Sequence, residues 1–292
     1  MYNQYIDRIK QVYPDLWIDD VEPNKIGQNN DVLMINKSLV FRFPKYLKGI
    51  TNLKDETELV NKIKDRVTIT IPNPIYQSFE ILEAGKVFTG YKKIQGSPLW
   101  REELSNIKDV NLFKKLASQL ATFLFEVHSI PLHEINPIFK HQKQKGIRTE
   151  VEELFENIQN RLYSFMRKDA KENITHMFEV FLNNPNNLEM NLTLIHGDFG
   201  ASNILWDSFY GEISGIIDFG GSGIGDPAYD FSGLLSSYGE TFFQLCIEQY
   251  PNGNEISDRV SFYKKTFALQ EALHGLENKD NHAFENGIKE YR

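Results

Sequence analysis

The sequence predicts an α+β fold in two lobes, a small antiparallel-sheet lobe over residues 1–94 followed by a larger, mostly helical lobe over 95–292. Three observations carry this. The first part of the chain alternates apolar and polar residues at strand period between turn residues. The later part carries long apolar stripes at helical spacing. Between them Lys92-Lys93-Ile94-Gln95-Gly96-Ser97-Pro98 loses strand character at a glycine and a proline, which marks the boundary. With 292 residues, 41% apolar and 25% charged, the chain is long enough to bury a core in each lobe.

Composition then removes whole classes. One cysteine, Cys246, excludes an internal disulfide framework and a Cys-based zinc site. No apolar stretch approaches the ~20 residues that span a bilayer, and the opening MYNQYIDRIKQVYP lacks the apolar core of a signal peptide, so no membrane association and a cytoplasmic location are expected. A formal net charge of −8 argues against nucleic acid, whose phosphates require a basic face. It favours a small cationic or neutral partner, and the chain is expected to act as a monomer.

In chain order, Tyr2, Ile6, Ile9 and Val12 lie near helical spacing and Pro14 stops the pattern. Leu16-Trp17-Ile18 and Val21 predict a first strand. Ile26-Gly27-Gln28-Asn29-Asn30-Asp31 is a turn between two strands, with Gly27 and two Asn residues tolerant of left-handed backbone. Ser38 to Phe43 alternates as a strand. Thr51 to Ile63 is a helix whose inward stripe includes Glu56, four before Val60 and seven before Ile63, whereas Glu58 reads as a solvated charge. Ile75 to Phe79 and Lys86 to Lys93 read as a strand pair. Beyond the boundary, Val110 to His128 is a strongly apolar amphipathic helix ending before Pro131, and His128 at its end reads as a cap. Thr149 to Met166 and Lys168 to Leu182 are two further helices.

Thr193 to Gly225, TLIHGDFGASNILWDSFYGEISGIIDFGGSGIG, reads as two short strands that each end in an acid-bearing turn. The first turn sets Asp198 five residues before Asn203. The second delivers Asp218 at the end of the apolar run Ile213 to Ile217. Phosphoryl transfer on the protein-kinase plan needs a carboxylate to orient the attacking hydroxyl, and an Asn and a second carboxylate to hold Mg²⁺ against nucleotide phosphates. Asp198, Asn203 and Asp218 supply these types in that order. The same plan wants a strand-borne cation on the phosphates with a Glu partner on the next helix. Arg42 inside its strand fits this role, rather than Lys45 beyond Pro44, and Glu56 fits the partner's. The turn at Gly27 would lie over the phosphates, and the backbone of the boundary segment would meet a purine edge. Tyr91, at the last strand position before that segment, either narrows the base pocket, which would favour GTP, or packs in the core. Asp230 reads as a helix cap or as a buried acid bracing the catalytic turn.

The segments VFRFPK, TNLKDETELV, VFTGYKKIQG, LATFLFEVHSI, LIHGDFGASNIL, GIIDFG and GDPAYDF resemble, in order and over nearly the whole length, those of the aminoglycoside phosphotransferases. These are antibiotic-resistance kinases of protein-kinase-like fold, and the likeness is strongest to the group that modifies a 2″-hydroxyl. The resemblance implies transfer of a γ-phosphate from GTP or ATP, with Mg²⁺, to a hydroxyl of a cationic aminoglycoside. It implies Asp198 as catalytic base, Asn203 and Asp218 as metal ligands, and His196 as a brace of the catalytic turn. It also implies Arg42 paired with Glu56, and a purine read by the backbone of Lys92 and Ile94. In the helix after GDPAYDF only Glu240 remains of the acids that relatives use for ammonium groups, so Glu271, Glu277 or Asp280 would have to supply the rest. From Asp226 to Arg292 there are 11 acidic and 6 basic residues, a difference of 11 − 6 = 5 negative charges. A kinase of another small alcohol, such as a macrolide, an amino alcohol or a sugar, and a catalytically silent kinase-like binding protein are the alternatives.

Overall fold

The computed structural model describes residues 2–24, 29–140 and 145–292. Gly27, with Ile26 and Gln28 of the turn around it, lies outside the described residues. The N-terminal part is a five-stranded antiparallel sheet formed by β1 (Val21–Asn24), β2 (Asn30–Ile35), β3 (Leu39–Pro44), β4 (Tyr76–Ser78) and β5 (Phe88–Lys92), in the order β1-β2-β3-β5-β4. Along β3 the side chains alternate: Leu39, Phe41 and Phe43 are buried while Val40 and Arg42 are half-buried on the other face, as strand geometry requires. Helix α1 (Asn3–Val12) covers the buried face. Tyr5 stacks on Phe43 with centroids 4.2 Å apart, and Arg8 pins the helix by donating Nη2 to Ser78 Oγ at 2.6 Å. Helix α2 (Leu47–Ile63) follows β3, and its stripe Leu59, Val60 and Ile63 joins the core of the helical lobe.

The helical lobe holds α3 (Arg101–Asn106), α4 (Val110–His128), α5 (Leu132–Ile135), α6 (Ile147–Arg161) and α7 (Lys168–Asn183) before the central stretch. After it come α8 (Ala228–Tyr238), α9 (Glu240–Ile247), α10 (Gly253–Asn278) and α11 (Asn281–Ile288). The predicted limits of α4 coincide with the observed ones because both ends carry local signals: Asp109 accepts from the Asn111 and Leu112 amides, and Pro131 follows the last turn.

Two expectations change. Leu16 to Ile18 is not a strand. Asn36 takes over that backbone, with Oδ1 accepting from the Asp19 and Asp20 amides and Nδ2 donating to Trp17 O, so pairing with β2 starts only at Val21. The central stretch contains four strands rather than two: β7 (Thr193–Ile195), β8 (Ile204–Asp207), β9 (Glu212–Ile216) and β10 (Gly223–Gly225). β8 pairs antiparallel with β9, and β7 with β10.

The chain crosses between lobes along the β8–β9 ribbon, past the two-residue strand β6 (Ser97–Pro98), which pairs with β8. Ser214 Oγ donates to Gln95 O at 2.6 Å. Gly96 has φ +112°, and a Cβ there would lie 2.6 Å from Trp206 O, so only glycine brings the crossing this close.

Candidate active site

The catalytic turn leaves β7 at Ile195. Asn203 Nδ2 donates to Asp198 O at 2.9 Å and to Asp198 Oδ2 at 2.8 Å, so the five-residue spacing closes the turn on itself. The main chain behind it is held from the core. Asp230, fully buried at the start of α8, accepts from the His196 amide at 2.7 Å and the Gly197 amide at 2.8 Å. His196, equally buried, accepts from the Asp198 amide at Nδ1, 3.2 Å, and therefore donates from Nε2 to Ile217 O at 3.1 Å. One ring thus ties the first acidic turn to the residue before the second. Gly197 has φ +79°, and a Cβ on it would stand 2.0 Å from Gly221 O, so the two turns touch where no side chain fits.

The second turn follows β9. Asp218 has left-handed backbone, φ 65° and ψ 69°, costing about 1–2 kcal/mol for a residue with a Cβ. The surroundings impose it: the Ile217 amide donates to Asn203 O at 2.9 Å, and the short 3₁₀ turn Phe219–Gly221 begins at once. Asp218 thereby faces the sheet lobe. Arg42 spans the gap, donating Nη1 to Glu56 Oε1 at 2.5 Å, with Nη2 3.4 Å from Asp218 Oδ1. Arg42 and Glu56 are 12% and 6% exposed whereas Asp218 is 53% exposed, so the pair is a fixed feature and the Asp218 carboxylate remains open to the cleft. Tyr91 pairs with Val40, one step along the same face of the sheet from Arg42. Burial first, with the Glu56 and Asp218 charges adding to it, pushes the Tyr91 hydroxyl up to about 12 despite the Arg42 cation. β4 stops pairing with β5 at Gly90, and the Lys93 amide donates to Ser38 O.

Asp198 keeps one edge on the cleft, yet the protein around the rest of it raises its carboxyl above the usual carboxylate range. Desolvation is the main cause, opposed by His196 and the Asn203 hydrogen bond and reinforced by the Asp218 and Asp230 charges. A carboxylate lifted this way is a better proton acceptor. Among the described residues no group of three or more His, Cys, Asp or Glu converges as a metal site. The donors on offer, one Asp and one Asn oxygen, fit a small hard cation that keeps waters and phosphate oxygens in its shell.

In front of Asp198 opens a cavity of about 330 Å³ lined by the catalytic turn, by Tyr229, Gly233, Ser236 and Ser237 of α8, and by Phe267 and Gln270 of α10. The acids singled out for the acceptor do not line it. Glu240 accepts from Gln244 Nε2 at 2.8 Å, Glu277 pairs with Arg161, Asp280 caps α11 through the His282 and Ala283 amides, and Glu271 is exposed on α10, next to Gln270.

Several residues at the site have no local sequence signal. His128 is no helix cap: it is buried, with Nε2 3.1 Å from Asp230 Oδ2 and Nδ1 2.9 Å from Tyr250 Oη. Arg259 grips buried Asp226 with Nε at 2.6 Å and Nη2 at 3.0 Å, fixing the start of α8. Arg101 donates to Ser236 O and Ser237 O at the end of α8.

The model of the phosphotransferase enzyme family (APH) matches residues 20–263. The GDP and kanamycin complex of APH(2″)-IIIa superposes with a TM-score of 0.90 at 26% identity, covering 100% of this chain and 97% of that one. The GDP complex of wild-type aminoglycoside 2′-phosphotransferase-IIIa gives 0.89 at 26% identity, covering 98% and 96%. The viomycin phosphotransferase of Streptomyces vinaceus is 36% identical over 103 residues, a stretch covering 34% of this chain and 36% of that protein's own length.

Proposed function

The chain belongs to the phosphotransferase enzyme family, and from that premise we propose that it transfers the γ-phosphate of GTP or ATP to a hydroxyl of a small antibiotic, in the first place the 2″-hydroxyl of an aminoglycoside. One observation carries the reading: Asp198, locked to Asn203, and Asp218, facing the Arg42–Glu56 pair, converge from two turns in contact beside a cavity that opens at Asp198. Relatives solved with GDP support a nucleotide donor, and the relative solved with kanamycin supports an aminoglycoside acceptor.

In this reading Arg42 grips phosphate oxygens while Glu56 keeps its fork in place. The unpaired edge of β5 beyond Gly90, running into Lys92 and Ile94, meets the purine, and Tyr91 bounds the base. Asn203 and Asp218 would hold Mg²⁺, which when bound neutralises phosphate charge. Asp198 accepts the proton of the acceptor hydroxyl at its carboxylate and aims the oxygen in line with the γ-phosphorus, so most of the catalysis is positioning. His196 and Asp230 act one step back by fixing the main chain that carries Asp198. The protein works as a cytoplasmic monomer.

The deciding experiment follows phosphate transfer from GTP and from ATP to kanamycin, gentamicin, streptomycin, viomycin, a macrolide and an amino alcohol. Transfer to an aminoglycoside with phosphate on the 2″-oxygen is expected. Transfer only to the macrolide or the amino alcohol would move the acceptor assignment. Nucleotide binding with no transfer to any of them would leave a silent kinase-like binding protein.

A further inference from the structure

Behind the catalytic turn a chain of side chains runs away from the cleft and ends at Tyr250, which stands in the turn between α9 and α10. Gly253 closes that turn: a Cβ there would lie 2.0 Å from Ile247 O, so the two helices approach where no side chain fits. The Tyr250 ring packs edge to face on Phe231, centroids 4.9 Å apart at 69°, and on Phe125 at 6.2 Å and 79°. Its Oη lies 2.9 Å from Nδ1 of buried His128 at the end of α4, and His128 Nε2 lies 3.1 Å from Asp230 Oδ2. The partners at each end decide where the hydrogens sit. Asp230 accepts the His196 amide at Oδ2 and the Gly197 amide at Oδ1, so its oxygens act as acceptors and the nitrogen of His128 that faces them donates. Burial first, with the Asp230 and Asp226 charges adding to it, pushes the Tyr250 hydroxyl up to about 12. That hydroxyl keeps its hydrogen and gives it to Nδ1. Donation therefore runs one way, from Tyr250 to His128 to Asp230, and Asp230 in turn holds the two amides that precede Asp198.

We infer that Tyr250 is a positioning residue for Asp198: its hydroxyl fixes the orientation of the His128 ring, and the ring in turn gives Asp230 a third donor that holds the carboxylate square under the His196 and Gly197 amides. The bond made by one ring nitrogen sets what the other presents. Without the hydroxyl, Nδ1 is a buried acceptor with no donor, a state costly enough to turn the ring or to draw water in beside it. Either response loosens Asp230, and the main chain carrying Asp198 moves with it. The consequence for turnover rests on the phosphotransferase reading above, whereas the direction of the hydrogen-bond chain does not.

Imidazole nitrogen NMR of the full chain should show His128 with its hydrogen on Nε2 and with a hydrogen-bonded Nδ1 that carries none. Tyr250→Phe keeps the ring packing and removes only the hydroxyl. It should move the Nδ1 signal of His128 and the amide signals of Gly197 and Asp198. With the donor and acceptor that the transfer screen above identifies, GTP and kanamycin in the first place, Tyr250→Phe should lower kcat roughly three- to tenfold and leave both KM values within about twofold, a part of the ~10²-fold that a misplacement of ~1 Å costs. In a His128→Gln background the same substitution should change kcat less than about twofold, because the route through the ring is gone. Four outcomes overturn the inference: a His128 hydrogen on Nδ1, catalytic-turn amides indifferent to Tyr250→Phe, an unchanged kcat, or the full loss repeated in the His128→Gln background. Absence of phosphate transfer to every acceptor would instead sink the phosphotransferase reading and leave the imidazole and amide signals to decide this one.

Discussion

The two halves of the cleft are built from different chemistry. At the two turns and on β3 the charged side chains are each held in place: Arg42 by Glu56, Asp218 by its forced left-handed turn, Asp198 by the Asn203 amide and by the buried His196 and Asp230 behind it. On the other side of Asp198 the cavity wall is an aromatic pair and an amide, and of the acids nearby Glu277 pairs with Arg161, Asp280 caps α11, Glu240 accepts from Gln244 and Glu271 is exposed on α10. Rigidity is needed where charge moves. Charge that develops on a transferring phosphoryl group has to meet fixed partners. The cavity wall is set by the residues that α8 and α10 bring together, and it can vary without moving the two turns.

The comparison breaks most visibly at Asp198. Asp198→Ala should lower kcat by at least ~10²-fold while nucleotide affinity, measured separately by calorimetry, stays near wild type. Turnover near wild type would remove Asp198 from the role of base. The raised carboxyl adds a pH signature: kcat/KM should fall on the acid side through an apparent pKa above the ordinary ~3.9 of an Asp. The sign for stability runs the other way. A carboxyl raised on folding loses stability as pH rises from its unfolded pKa through its folded one, so at neutral pH Asp198→Asn should melt slightly higher than wild type although it is inactive.

Asp230 sharpens the contrast between a group that reacts and a group that holds. Asp230→Ala strips partners from the His196 and Gly197 amides and from buried His128, a loss of about 3–5 kcal/mol on the scale of broken buried networks. It should appear as a lower denaturation midpoint together with a lower kcat, and a wild-type midpoint would deny Asp230 its bracing role. Arg42→Lys keeps the charge but not the fork that reaches Glu56 and Asp218 together. It should raise the nucleotide KM by roughly three- to tenfold with a smaller change in kcat, and unchanged kinetics would show that the fork contributes nothing. The smallest effect is expected at Tyr91: GTP should serve at least as well as ATP, and Tyr91→Ala should shift kcat/KM toward ATP by a few-fold. A wild-type preference for ATP that the substitution leaves alone would make Tyr91 packing only.

What the sequence determined by itself is whatever local hydrogen bonding and periodicity encode. The Asp198 to Asn203 spacing closes one turn, an apolar run delivers Asp218, alternation puts Arg42 on one face of β3, and the helical stripe turns Glu56 inward. The limits of α4 follow from a cap and a proline. Each of these is decided within a few residues of itself, by pleat, helical pitch or a capping side chain. Only the tertiary structure decided the partners that meet from far along the chain: His128 with Asp230, Arg259 with Asp226, Asn36 under the segment expected as a strand, and Tyr229, Phe267 and Gln270 on one wall. It also decided the fate of the acids near the acceptor. A carboxylate in a sequence looks the same whether it will meet a ligand, an arginine or the first amides of a helix, and the choice is made by which helices pack side by side.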